Sequence, residues 1–479
     1  MNAVTPDPRR WKALILVCAA IFVVVLDIAI VNVALPSIGR DLHFQQENLQ
    51  WVITAYALTY GGFLLLGGRA ADLLGRRRVF MGGLVLFTVA SLVCGLSTSD
   101  EMLIIARGVQ GLGAAIVSPA ALSIISTTFT EGSERNKALG AWGAVAGSGA
   151  AAGVLFGGIL TKYLGWEWIF WVNVPVGVVV LVLTTIYIRE SRREDIVHDY
   201  DPLGALTVTG GLIVLVYAIS EAPDVGWATF RTIGLLVLSG LLLAFFLFWE
   251  WREKAPLMPL GIFRIRLLSA ANVVAFLQAS GLFGSFLLQT LYMQQVLELS
   301  VLQTGVAFLA TAGTSVLFAG PAQALSTRIG VKPVLMVGLA LLVAGSLWYT
   351  QIDVDGSYPV DLLPGFLAVG IGLPFTFIPI TIAALAGVRE EEAGLASGLL
   401  STSQQVGGAI GTAVLSTVAF THAETLLERG ERPQEALTSG FQWGFWVGAG
   451  IWTATLVAAL VLIRQEEIPA PEAAELPAA

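Results

Sequence analysis

The sequence predicts an all-α integral membrane protein of fourteen transmembrane helices, and three observations predict it. Only 13% of its 479 residues are charged while 56% are apolar, with a mean hydropathy of +0.79; soluble domains carry about 25% charged residues. Apolar windows of about 20 residues, long enough to cross a bilayer, recur along the whole chain. When these windows are threaded alternately through a membrane, twenty of the 26 lysines and arginines fall on one side, the asymmetry that marks a cytoplasmic face.

The first six windows fall near 12–34, 50–69, 79–97, 101–122, 137–162 and 168–188. Arg9, Arg10 and Lys12 precede the first, which is too long for a secretory signal and lacks a small-x-small cleavage site, so it reads as an uncleaved helix. Two windows follow at 203–220 and 230–249, flanked by charged links. The last six lie near 268–293, 303–324, 333–351, 361–385, 394–420 and 441–463. The division is a six-helix bundle over 1–190, links with two inserted helices over 191–266, and a second six-helix bundle over 267–464. A tail of 465–479, rich in Pro, Ala and Glu, is expected to be disordered. The even count puts both termini in the cytoplasm. Leu139-Gly140-Ala141 after one loop and Leu395-Ala396-Ser397 after another suggest a faint internal repeat, the pattern of two bundles around a central path.

Composition also excludes. No basic stripe points to nucleic acid. Cys18 and Cys94 lie inside apolar runs, and His43, His198 and His422 are scattered, so neither a disulfide framework nor a metal site is expected. There is no phosphate-binding loop, no Gly-x-Ser-x-Gly elbow and no His-Glu-x-x-His helix. The chain is not expected to be an enzyme, and no cofactor is expected; uphill transport would draw on an ion gradient.

Charges immersed in lipid cost at least ~2.5–3.5 kcal/mol on insertion scales, which makes Asp27 in the first window and Arg107 in the fourth the most informative residues. Each lies ~10 Å below the same membrane face at 1.5 Å per helical residue. Burial disfavours a carboxylate and a nearby guanidinium favours it, so movement of Arg107 relative to Asp27 would make a proton switch; a static polar bridge is the bland alternative. After the second window, Gly68 and Gly75 bracket Asp72, and Arg76, Arg77 and Arg78 follow. Membrane-edge anchoring explains the arginines. Asp72 is expected to cap the N-terminus of a helix from the other half and to gate the cytoplasmic side. Gly149, Gly153 and Gly157 recur every four residues, followed by Gly158, which clears a helix face for close packing, read here as a seam between bundles. Candidate cavity residues are Asn32, Tyr56, Tyr60, Asn272, Gln278, Gln289, Gln404 and Gln405.

Four segments together resemble the major facilitator superfamily, and within it the fourteen-span drug:proton antiporters: Leu26-Asp27 through Leu35-Pro36, Gly68 to Arg78, Arg107-Gly108-Val109-Gln110-Gly111, and Trp168 to Gly177. The resemblance implies a major facilitator fold and proton-coupled efflux of an amphiphilic small molecule across a bacterial plasma membrane by a monomer. It implies that Asp27 takes the proton and Arg107 tunes it. Departures accompany it. Val154 stands where the family's helix-five signature has proline, Thr311 and Thr314 replace a second acid that favours dications, and the second-half loop Arg328 to Lys332 lacks an aspartate. A dedicated exporter of one metabolite, antibiotic or lipid precursor is the nearer alternative, and a receptor or enzyme on the same scaffold the farther one.

Overall fold

A computed structural model describes residues 8–44, 49, 51–129, 132–191, 201–253, 256–389 and 392–464; the expected tail of 465–479 lies outside them. The described residues are helical almost throughout. We label the long helices α1 (Arg10–Asp41), α2 (Trp51–Leu74), α3 (Arg76–Gly95), α4 (Asp100–Thr128), α5 (Ser133–Tyr163), α6 (Trp168–Tyr187), α7 (Pro202–Val225), α8 (Phe230–Arg252), α9 (Arg266–Gln295), α10 (Val301–Ile329), α11 (Val331–Tyr349), α12 (Tyr358–Leu385), α13 (Ala393–Glu428) and α14 (Pro433–Leu462).

Local chemistry sets many of the ends. The Ser99 hydroxyl accepts the Met102 N–H and Asp100 and Glu101 occupy the first turn of α4, which suits the positive end of its dipole. Asp201 caps α7, with Pro202 at its first position. Ser300 and Gln303 form a reciprocal capping box on α10. Gly75 and Gly330 hold positive φ (104° and 91°) at the equivalent α2–α3 and α10–α11 junctions. The sharp turn recurs in both halves, in a conformation that favours glycine.

Among the described residues, thirteen helices are long and apolar enough to cross a membrane. The remaining long helix, α5, is diluted by glycine, alanine and the charges of its first turn. It nevertheless lies along a crossing neighbour from end to end. Asn136 donates to Thr327 at one end of α10, and Gly158 faces Leu302 at the other.

Helices α1–α6 form one bundle and α9–α14 the other. The inserted pair α7–α8 packs on itself, with Leu243 against Gly211 and Ser239 donating to the Gly211 carbonyl. It covers the junction where α2 of one bundle meets α13 of the other. Ile213 of α7 fills the notch at Gly62 of α2, Tyr217 stacks on Trp51, and Trp227 in the α7–α8 turn donates to Thr417 of α13.

The two ends of the assembly differ. At the end carrying Arg76–Arg78, Arg135 and Lys332, here the basic end, α4 is buried on every side from Val117 to Ser126 and α12 from Ile378 to Leu385. Toward the far end, α1 passes from an unbroken run without exposed residues (Leu16–Val31) to exposed Asn32, Pro36 and Arg40. The bundles are sealed together at the basic end.

Candidate functional site

Two polar constellations stand out, one inside the first bundle and one between the bundles. In the first, Asp27 of α1 and Arg107 of α4 pair, Nη1 to Oδ2, at 2.5 Å, and both are at most 1% exposed. Both carboxylate oxygens are engaged, while the Tyr56 hydroxyl and Asn173 Oδ1 have no hydrogen-bond partner among the described residues. Asp27 Oδ1 accepts from Gln110 Nε2 at 2.8 Å and from Asn173 Nδ2 of α6 at 2.9 Å. Arg107 Nε donates to the Val52 carbonyl of α2 at 2.9 Å and Nη1 also reaches Gln110 Oε1 at 2.6 Å. Gln110 Nε2 donates in addition to Ser91 of α3 at 2.8 Å. The guanidinium lies 4.3 Å from the centre of the Tyr56 ring, a cation–π contact. Three helices thus meet at one carboxylate, and two more join through Arg107 and Gln110.

The ion pair at its centre is costly to break: removing one member of a buried ion pair leaves an unpaired charge and costs about 3–5 kcal/mol. In this conformation Asp27 has no exposed surface, so a proton can reach it only when the helices around it move. Sequence reasoning singled out the two charges but not their brackets. Gln110 lies three residues from Arg107, on the same helix face, and Asn173 is a polar residue opening an apolar run. Both signals were readable.

The second constellation joins the bundles at the basic end. Asp72, 5% exposed near the end of α2, accepts the Gly394 N–H on Oδ1 at 3.0 Å and the Leu395 N–H on Oδ2 at 2.9 Å. These are unsatisfied donors of the first turn of α13, where the helix dipole also favours an anion. Arg76 Nη2 donates to Asp72 Oδ1 at 3.1 Å, and its Nε binds Ser123 of α4 at 2.7 Å. Backbones touch here: a β-carbon on Gly68 would collide with the Gly394 carbonyl oxygen. Gly75 makes the turn that starts α3. Arg77 takes no part in the latch; its Nη2 donates to the Thr185 carbonyl at the end of α6, and the Arg77 and Arg78 N–H groups bind the Glu190 carboxylate, each at 3.2 Å.

On the opposite seam, between α5 and α10–α12, the equivalent position is Thr327, three residues before Gly330 as Asp72 is three before Gly75. It accepts from Asn136 Nδ2 at 3.2 Å, while Arg135 reaches the Leu385 carbonyl at 3.3 Å. One seam is therefore held by a buried carboxylate, and the other by a neutral Asn136–Thr327 bond together with the Arg135 guanidinium on a backbone carbonyl.

The glycine seam differs from its expectation. Gly149, Gly153 and Gly157 face α1 of their own bundle, against Val25, Leu26, Ala29, Ile30 and Val33. Contact with the other bundle is made by Gly140 and Gly143 against Gln323 and Ile378, by Gly158 against Leu302, and by Val154 against Gly305. A four-residue spacing fixes one face of a helix but not the helix it meets.

The expected cavity residues also separate. Asn32 is exposed, its amide bonded to the Ile28 carbonyl of its own helix. Tyr60, Gln404 and Gln405 are partly exposed, Tyr60 donating to Ser118 at 3.2 Å and Gln405 packing over Gly61 of α2. Tyr56, Gln278, Gln289 and Asn272 are buried. Tyr56 belongs to the Arg107 cluster, Gln278 donates to Thr376 of α12 at 2.8 Å, and the Asn272 side chain bridges the Leu268 carbonyl and Ser403. These four present little or no accessible surface in this conformation. Among the described residues, no group of His, Cys, Asp and Glu could hold a metal ion.

A protein-family comparison matches residues 17–412 to the Major Facilitator Superfamily. The chain belongs to that superfamily. It is 41% identical over 475 residues to the puromycin resistance protein pur8 of Streptomyces alboniger, covering 98% of this chain and 94% of that one. It is 35% identical to the tetracenomycin C resistance and export protein of Streptomyces glaucescens, over 86% of this chain and 76% of the relative. Among solved structures it is similar in fold to the human organic anion transporter MFSD10, with a TM-score of 0.69 at 15% identity, covering 95% of this chain and all of that one. This superfamily member is thus a multi-span membrane transporter whose relatives bear the names of antibiotic resistance and export proteins.

Proposed function

We propose that this transporter exports antibiotic-like amphiphilic molecules across a bacterial cytoplasmic membrane, as a monomer, in exchange for protons. In this reading all fourteen helices cross the bilayer, and the basic end with both termini is cytoplasmic. The single observation that carries it is the buried Asp27–Arg107 pair in a chain 41% identical to an antibiotic resistance protein over nearly its whole length. A charge pair in the hydrocarbon of a transporter marks an ion pathway by default.

The cycle runs as alternating access. In the conformation described above, Asp72 holds the cytoplasmic side shut and Asp27 is engaged by Arg107, Gln110 and Asn173. When α4 shifts against α1, Arg107 leaves the carboxylate, and an unpaired carboxylate in a dry site takes up a proton. Return of Arg107 expels it. If the shift also breaks the Asp72 contacts to α13, proton exchange and opening of the cytoplasmic side become one event.

Everted vesicles from expressing cells test this. A pH gradient is expected to drive dye or puromycin accumulation, an uncoupler to abolish it, and Asp27→Asn to abolish it without loss of protein. Uncoupler-resistant transport would remove the proton from the mechanism, and full transport by Asp27→Asn would remove Asp27 from it. A dedicated exporter of one compound is the second reading, favoured because the names of the puromycin and tetracenomycin C relatives each specify one antibiotic. Resistance to a single member of a chemically varied panel would establish it.

A further inference from the structure

Outside both constellations, an apolar groove of about 560 Å³ opens between α2, α3 and α4 near the basic end. Leu66 and Gly67 of α2, Gly82 and Gly83 of α3, and Ile116 of α4 line it, and Arg78 stands at its mouth. Its size falls within the ~300–1,000 Å³ of small-molecule sites. It faces outward, because the same faces of α3 and α4 continue into exposed Val85, Val89, Ile105 and Val109.

Two features distinguish it from an ordinary gap between helices. Gly67 and Gly83 are required by packing, since a β-carbon at either would strike Ala115, Ile116 or Gly113 of α4. Gly82 is not: a β-carbon there meets nothing within 4 Å. A mid-helix glycine weakens its helix, and here no neighbouring residue needs the space. Arg78 is also unspent. Its side chain is 69% exposed and, among the described residues, its one ion pair is a loose one, Nε to Glu190 at 3.7 Å. The apolar slot thus has a cation at its mouth.

We infer that the groove binds one acyl chain of an anionic phospholipid, whose phosphate pairs with Arg78. Guanidinium and phosphate match in charge and in hydrogen-bonding geometry, and the basic edge of a membrane protein attracts anionic lipids. The inference rests on membrane placement and not on proton coupling, so the two fail separately.

The test is native mass spectrometry of the purified full chain, delipidated and then exposed to equal amounts of phosphatidylglycerol and phosphatidylcholine. The wild-type chain is expected to retain one phosphatidylglycerol at least fivefold over phosphatidylcholine. Arg78→Gln is expected to erase that preference, and Arg78→Lys to keep most of it. Gly82→Leu, whose β-carbon meets nothing within 4 Å and whose longer side chain takes up room in the slot, is expected to lower retention of both lipids at least fivefold. Gly82→Ala, which leaves most of the slot open, serves as the folded control. Equal retention of the two lipids by the wild type would overturn the proposal, as would unchanged retention by Gly82→Leu. A dimer that Gly82→Leu breaks, with no lipid retained, would assign the groove to a second copy of the chain instead.

Discussion

Asp72 caps a helix that begins 321 residues later in the chain, its two carboxylate oxygens taking the Gly394 and Leu395 N–H groups at 3.0 and 2.9 Å. Charge-assisted bonds of this kind are worth about 1.5–3 kcal/mol each, and together they lock the two bundles at the basic end.

Replacing Asp72 with Ala is expected to free both amides. Hydrogen exchange at Gly394 and Leu395 should quicken by about 10–100-fold, the equivalent of ~1.4–2.8 kcal/mol, while amides deep in α4 stay protected. Asp72→Asn retains one good acceptor and should fall between. Unchanged exchange in the Ala variant would mean that the close Gly68–Gly394 packing alone holds the seam. Thr327→Ala, which removes only a neutral bond on the opposite seam, is expected to have a smaller effect.

Arg107 makes contacts that only a guanidinium can make together, to Asp27, Gln110 and the Val52 carbonyl. Arg107→Lys keeps the charge but cannot span these acceptors. It should reduce efflux at least tenfold and lower the melting temperature of the detergent-solubilised protein. Arg107→Ala, which strands Asp27 in a dry site, should be the more damaging, at about 3–5 kcal/mol. Wild-type melting for both variants would show that the pair is hydrated and easily opened.

Gly153 lies where a β-carbon would stand 2.7 Å from Ala29 Cβ and 2.8 Å from the Leu26 carbonyl oxygen. Gly153→Val is therefore expected to push α5 off α1 and to destabilise by about 1–3 kcal/mol, the usual range for overpacking. Gly234 on α8 has nothing within 4 Å, so Gly234→Val is the matched control. Equal thermal stability of the two variants would contradict the packing described for α1 and α5.

At the base of the inserted hairpin, Asp201 Oδ2 and Glu250 Oε1 are both buried, both beside Gly204, and neither has a donor among the described residues. Their other oxygens are bonded, Asp201 Oδ1 to Gly204 and Trp249, and Glu250 Oε2 to the Met258 N–H. Glu250→Gln supplies an amide donor between two acceptors. It is expected to leave the melting temperature unchanged or raise it by a few degrees, whereas Glu250→Ala should lower it. A clear loss of stability in the Gln variant would show that the Glu250 carboxyl itself donates to Asp201.

The sequence by itself determined the membrane architecture. Lipid offers no partner to a backbone N–H or carbonyl, so a crossing segment must be a long, almost uncharged helix, and such segments are visible one residue at a time. The same cost made Asp27 and Arg107 legible, since a charge in an apolar run has to be matched. Asp72 between Gly68 and Gly75 was legible as the acid at a tight turn. Only the tertiary structure decided which helix each face meets. It turned Gly149, Gly153 and Gly157 toward α1 and gave the bundle seam to Gly140, Gly143, Gly158 and Val154. It also buried Tyr56, Gln278 and Gln289 and laid α7–α8 over the junction of α2 and α13. The physical reason is that lipid tails are as apolar as side chains: the face a helix shows to lipid and the face it packs on a neighbour have nearly the same composition. Shape and the satisfaction of a few polar groups make the choice, and both are properties of two helices at once.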